Sequence, residues 1–165
     1  MIRHISIAGF ALLLAASPAL AGEYKGPATF SWTYAPVVLE VLPGQYSSAG
    51  QAKGTMVRPD TAPPELIGMA EICNNIDMPD GLSHGTCMIY DAGGDHYSVD
   101  YTCGVPLETP PAGAILACEG TATILGGTGK FAKIKGSGTF LQIVTGVLPD
   151  GTYVGYSTDS QDFTY

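Results

Sequence analysis

The chain is short of positive charge, short of charge altogether, and short of anything that would sustain a helix. Only 13% of its 165 residues are charged, with 7 Lys and Arg against 15 Asp and Glu. So acidic a balance repels phosphate backbones, which excludes nucleic acid as a natural partner. Glycine occurs 22 times and proline 12 times, too often for helices, and no segment holds an apolar period of 3.6 over three turns. The main apolar run at the start, Ile5 to Ala16, falls short of the roughly 20 residues that a membrane-spanning helix needs. None of the four cysteines is spaced as CxxC, which argues against a structural zinc site, and no cofactor or metal is expected.

What is present begins with a leader. Met1 to Ala21 combines a basic start at Arg3, the run Ile5 to Ala16 and the small-residue ending Ala19-Leu20-Ala21. That pattern is a secretory signal peptide with cleavage before Gly22, and no cysteine follows to accept a lipid. Residues 22–165 then form one domain with a real core, secreted or periplasmic, carrying 6 basic against 15 acidic residues. In an exported chain, Cys73, Cys87, Cys103 and Cys118 suggest two disulfides.

Period-two patterning fixes the fold class as all-β. Phe30, Trp32 and Tyr34 alternate with Thr29, Ser31 and Thr33 as a half-buried strand whose aromatic face points at the core. Pro36 interrupts it, and Val37 to Leu42 reads as a separate short run. Gln51 to Val57 and Leu66 to Cys73 are further strands, and Asn74 to Ser83 is a loop around Pro79-Asp80-Gly81. Glu119 to Leu125 leads into a glycine hinge (Gly126, Gly127, Gly129), and Gly138 to Thr145 and Thr152 to Ser157 follow. The expected architecture is a single antiparallel β-barrel of about eight strands with two disulfides, since closure removes sheet edges.

The clearest hairpin joins His84 to Asp91 with Asp95 to Cys103 through Ala92-Gly93-Gly94. Setting Asp91 opposite Asp95 places Ile89 opposite Tyr97, Cys87 opposite Val99 and Gly85 opposite Tyr101, on the more apolar side and therefore inward. Cys103 then lies four residues beyond the partner of Cys87, about 13 Å away, too far for a disulfide. Two connectivities remain. Cys73 with Cys87 and Cys103 with Cys118 is favoured over the crossed one because its loops are shorter.

Gly126-Gly-Thr-Gly-Lys-Phe131 followed by Gly136-Ser-Gly-Thr-Phe140 resembles the glycine turn and following strand of the allene oxide cyclase and dirigent barrels, and of secreted bacterial proteins sharing that domain. Asp91-Ala-Gly-Gly-Asp95 resembles the hairpin turn of the bacterial group. The resemblance covers roughly residues 84–140. It implies a barrel with a ligand-holding lumen, a cofactor-free cyclase or isomerase activity, and a possible homo-oligomer in the form of the trimer of the plant relatives. The acidic, proline and asparagine residues that serve catalysis in the plant cyclases find no matching positions here, so no catalytic role carries over.

Several motifs resolve to ordinary structure. Gly127-Thr-Gly-Lys-Phe-Ala132 matches a dinucleotide fingerprint but is followed by Gly136, Gly138 and a strand where a helix is required. Read as a phosphate loop, the same stretch has Ile124 at the first glycine position and Phe131 at the hydroxyl position. Lys130, Lys133 and Lys135 form a solvated face or charged edge. His84 and His96 lie at opposite ends of the hairpin, too far apart to share a metal, and Asp91 and Asp95 are turn residues rather than a calcium site. A transmembrane β-barrel fits the length, but Ser157, Asp159 and Gln161 break the alternation its last strand needs, so no membrane span is expected.

Glu71 is the candidate for chemistry. It is the one charge in Leu66-Ile-Gly-Met-Ala-Glu-Ile-Cys73 and shares parity with Cys73, which turns it toward Tyr97 and Tyr101. Buried there, it would be pushed toward protonation and suited to general acid–base work. Trp32, Tyr34, Tyr97, Tyr101 and Phe140 are the expected lining of the lumen. Three functions compete: a barrel binding a small apolar or aromatic molecule, a cyclase or isomerase using Glu71, and a structural or surface-interaction protein with a filled interior. A roomy interior with a buried carboxylate favours the enzyme, one without it the binder, and a packed interior the structural role.

Overall fold

Alternating side chains, interrupted by glycine and proline at each change of direction, give eight strands. The computed structural model describes residues 22–165, and the expected leader, residues 1–21, lies outside the described residues. The strands are β1 (Glu23–Leu42), β2 (Gln45–Val57), β3 (Met69–Asp77), β4 (Ser83–Tyr90), β5 (His96–Cys103), β6 (Leu116–Gly127), β7 (Lys135–Val147) and β8 (Tyr153–Thr164). Each pairs antiparallel with the next, and β8 returns to β1 from Glu23 opposite Thr164 to Tyr34 opposite Tyr153, closing the barrel. Short 3-10 turns at Pro64–Leu66 and Gly129–Phe131 lie under one end.

The hairpin of β4 and β5 has the expected register, with Cys87 opposite Val99, Ile89 opposite Tyr97 and Gly85 opposite Tyr101. Both disulfides are the favoured ones, Cys73–Cys87 and Cys103–Cys118, with Cα separations of 3.9 and 5.9 Å. Phe30, Trp32 and Tyr34 are buried as the alternation requires, the intervening Ser31 and Thr33 are exposed, and Thr29 is half-buried.

Several strands are longer than the sequence reading, β2 beginning at Gln45, β6 at Leu116 and β7 at Lys135, and three further differences have a physical reason. Pro36 does not end β1, which runs on to Leu42. The β1–β8 ladder stops at Tyr34, and the β1–β2 ladder begins at Thr29, so Pro27 and Pro36 both sit where β1 has one neighbour. A missing N–H is tolerated there as on an edge strand. The Val37–Leu42 arm, paired only with β2, stands clear of the barrel with Val37 67% and Leu39 63% exposed. Asn74 to Asp77, read as loop, completes β3, while Leu66 instead plugs the barrel's end. β8 continues past Ser157 to Thr164, because the polar Ser157, Asp159 and Gln161 occupy inward positions rather than breaking the strand.

The glycine hinge proves to be a bulge. Ser98 pairs with Gly126 and Val99 with Ile124, leaving Leu125 as the extra, exposed residue that bends β6. Beyond it the chain folds back onto the β4–β5 turn. Asp91 Oδ1 accepts the Gly93 and Asp95 N–H groups at 2.7 and 3.0 Å, Lys130 Nζ reaches Asp91 at 2.6 Å, and Asp95 Oδ2 accepts the Lys130 N–H at 3.2 Å. Lys130 is thus a structural ion-pair partner rather than a member of a solvated face.

At Gly129, φ is +50° and a β-carbon would overlap the Asp95 carboxylate. Gly129→Val is therefore expected to destabilise the fold by more than about 1 kcal/mol through strain, read as a fall in the midpoint of thermal or urea unfolding; an unchanged midpoint would mean the turn is not fixed. Reduction of the disulfides should cost roughly 2 to 5 kcal/mol per bridge, measured by urea unfolding with and without reductant, with non-reduced peptide mapping recovering the two pairings.

Candidate functional site

The barrel is closed at one end and hollow in the middle. Its floor is an aromatic cluster: Phe131 meets Tyr97 edge-on at 5.4 Å and Tyr165 at 5.5 Å, with Phe163 5.9 Å from Tyr97. Aromatic pairs at such spacings add to the burial they share. Arg58, only 2% exposed, is locked into this floor. It donates to Gln161 Oε1 at 2.9 Å, to the Leu66 carbonyl at 2.8 Å and to the Tyr97 hydroxyl at 2.5 Å, and its guanidinium lies 5.5 Å from the Tyr24 ring. A buried guanidinium tolerates loss of water because its donors are taken.

Above the floor lies a cavity of about 100 Å³, where one water needs about 10 to 15 Å³. All five expected lining residues, Trp32, Tyr34, Tyr97, Tyr101 and Phe140, border it, and so does Glu71. Several of the rings pass close to a glycine of the adjoining strand, where no β-carbon holds them off. A β-carbon on Gly155 would stand 2.7 Å from the Trp32 ring, one on Gly85 2.7 Å from the Tyr101 ring and one on Gly54 2.9 Å from the Phe30 ring; Gly120 is covered by Phe140 in the same way. Rings pressed to the wall cannot fill the centre. Toward the open end a second space of about 100 Å³ is bordered by Tyr34, Asp77, Tyr153 and Trp32.

Glu71 comes from β3, between Gly54 of β2 and Ile89 of β4. It is 5% exposed, and among the described residues no group donates to its Oε2. Its Oε1 stands 3.4 Å from Cys73 Sγ, a disulfide sulfur with no proton to give. Burial, reinforced by the charge of Asp159 and only partly offset by Arg58, pushes its pKa up to about 8. Burial also pushes Tyr97 up to about 12. Glu71 Oε1 and the sulfurs of Cys73 and Cys87 lie within 4.8 Å of one another, but both sulfurs are spent in the disulfide and neither is a thiolate ligand.

Other polar groups reach the lumen that sequence patterning did not single out. Asp159 on β8 is raised by burial and accepts from Ser157 Oγ at 2.7 Å and Gln161 Nε2 at 3.4 Å. Asp77 on β3 accepts from Tyr34 at 3.0 Å, from Asn75 at 2.7 Å and from Ser48 and Ser83. The β8 residues carried a signal in their strict period of two, hidden because the inward face was expected to be apolar. Arg58, one residue past β2, carried none. His84 is exposed and pairs with Asp100 at 3.0 Å, and His96 contacts Thr128, both away from the cavity.

The raised Glu71 pKa makes stability depend on pH with a definite sign. The folded state holds the proton more tightly, so this stabilisation is fully present below the ordinary carboxylate pKa of 4.5 and is lost as pH rises through about 8. Glu71→Gln should remove that loss and exceed the parent's stability above pH 8 by more than about 1 kcal/mol, measured by urea unfolding between pH 5 and 9. Parallel pH profiles for the two proteins would mean that Glu71 titrates normally.

No protein-family model matches the chain, and no curated protein matches it. Among solved structures, the chain is similar to a protein of unknown function from Clostridium acetobutylicum at 11% identity and a TM-score of 0.34, over 85% of this chain and 97% of that one.

Proposed function

We propose that this is an exported binding protein whose lumen holds one small organic molecule with an aromatic or apolar body. The observation that supports this most is the cavity itself: aromatic walls over glycines, a sealed floor and an open mouth make a concave, mostly apolar site with a few converging polar groups. The open volume weighs against an interior packed solid for a structural role. Export agrees with two disulfides, which persist in oxidising compartments. The outer wall mixes hydroxylic positions such as Ser31, Thr33 and Thr158 with exposed apolar ones such as Ile72, Ile76 and Met88.

Proton-transfer catalysis is the second reading, in keeping with the resemblance to allene oxide cyclases, and the buried carboxyl of Glu71 beside an open space favours it. Against turnover, no side chain bonded to Glu71 relays a proton to solvent among the described residues. Binding is therefore the primary reading.

The test is native mass spectrometry of protein purified from its own source, joined to titration of tryptophan emission. Trp32 is the only tryptophan and borders the cavity, so occupancy should shift its emission. A retained mass, released on unfolding, is expected. A bare chain whose emission responds to no small aromatic molecule would overturn the proposal.

A further inference from the structure

We propose that the ligand is a protonated organic amine, its ammonium seated at Glu71 and its aromatic or apolar body against the rings of Phe30, Trp32 and Phe140. This rests on the lumenal-binding reading above. Every other ionisable group around the cavity already has its partners. Asp159 takes Ser157 and Gln161, Asp77 takes Tyr34, Asn75, Ser48 and Ser83, and Arg58 is tied to the floor by Gln161, Leu66 and Tyr97. Among the described residues, Glu71 alone has a buried side-chain oxygen, Oε2, without a hydrogen-bond partner. Leaving such a group unpaired is costly, so a ligand that supplies the missing donor gains more there than anywhere else on the wall.

Charge and ring geometry select a cation among possible donors. Glu71 and Asp159 both face the cavity, against one guanidinium whose donors are in use. Once Glu71 is ionised, that arrangement repels an anion. An ammonium is attracted by it and also by the faces of the Phe30, Trp32 and Phe140 rings, which carry negative potential. The acidity of the whole chain, −8 in formal charge, steers cations toward it from solution.

The binding step has a proton balance. The groups facing Glu71 are Asp159 from β8, Arg58 after β2, and Tyr97 and Tyr101 from β5; the other lumen positions on β1, β2, β4, β6 and β7 near it carry no charge. Below about pH 8 the empty site holds a neutral carboxyl. When an ammonium binds, the carboxyl O–H breaks, its proton leaves to the buffer, and the carboxylate accepts an ammonium N–H. Affinity therefore rises with pH, by up to about tenfold per unit, and levels off once Glu71 is ionised.

Phenethylamine and phenethyl alcohol, matched in size and differing in charge, provide the test with the chain from Gly22 onward. Trp32 emission gives the affinities, and calorimetry in two buffers of different ionisation enthalpy gives protons released. The expected result is that the amine binds at least tenfold more tightly than the alcohol at pH 7 and releases a proton. Glu71→Gln should lose that tenfold and the proton release while leaving the alcohol within about twofold. Asp159→Asn, which removes the charge that raises Glu71, should shift the pH at which amine affinity levels off downward and reduce the protons released at pH 7, which keeps the test decisive if Glu71→Gln misfolds, and the exposed Glu108→Gln should change neither ligand. Equal or tighter binding of the alcohol would overturn the amine assignment and leave lumenal binding standing. A response to neither probe would also overturn it, and the broader reading falls only if the protein from its own source also carries no ligand.

Discussion

The structure depends on close approach between strands at glycines, where a neighbouring backbone carbonyl and an aromatic ring both stand where a β-carbon would be. An eight-stranded barrel is narrow enough for its own side chains to fill, and a lumen carrying Phe30, Trp32, Tyr101 and Phe140 in free rotamers would be solid. Gly54, Gly155, Gly85 and Gly120 each stand beside one of these rings and have no side chain to hold it off the sheet. The rings line the wall around the open space. These four glycines serve the interior as well as the close pairing of the strands, since at Gly54, Gly85 and Gly155 a β-carbon would first meet the carbonyl of Ser31, Asn74 or Ile143. A β-carbon at any of these positions would push a ring toward the centre or force the strand to shift.

Within that space the polar groups are divided by depth. Arg58 closes the floor with each of its three guanidinium nitrogens hydrogen-bonded and aromatic rings on its flanks. Asp77, near the mouth, is surrounded by donors from four strands. Glu71 lies between these two satisfied groups and has neither donors nor water-facing surface. A structural carboxylate collects donors, as Asp77 does. One held bare beside a cavity is instead suited to meet something that comes and goes, as a ligand or a proton does.

The two segments on which the family resemblance rests meet in space, although they are separated by more than a strand in the chain. Asp91 and Asp95 hold Lys130 and the backbone after Gly129, fastening the glycine turn over the floor. Phe131 follows at once and is fully buried among Tyr97 and Tyr165. The motif is therefore a latch that seals one end of the lumen, which explains why it speaks for the barrel and is silent about chemistry.

The sequence by itself determined the all-β class and the register of the β4–β5 hairpin, which follow from local period-two alternation and a tight turn; that register excluded one disulfide connectivity, loop length favoured the observed pairing over the crossed one, and the inward face of Glu71 followed from that pairing. It also named the aromatic lining, since large rings on the apolar parity of adjacent strands must face the axis. Only the tertiary structure decided that β1 runs through Pro36, since that depends on where β8 stops accompanying it. The same holds for Asp159 and Gln161, whose place in the lumen depends on β8 closing against β1 rather than on their own polarity. Arg58 lay beyond local reach altogether: its partners Tyr97 and Gln161 are 39 and 103 residues away in the chain. Whether a barrel is filled or hollow is a property of ring against glycine across strands, and no single strand contains it.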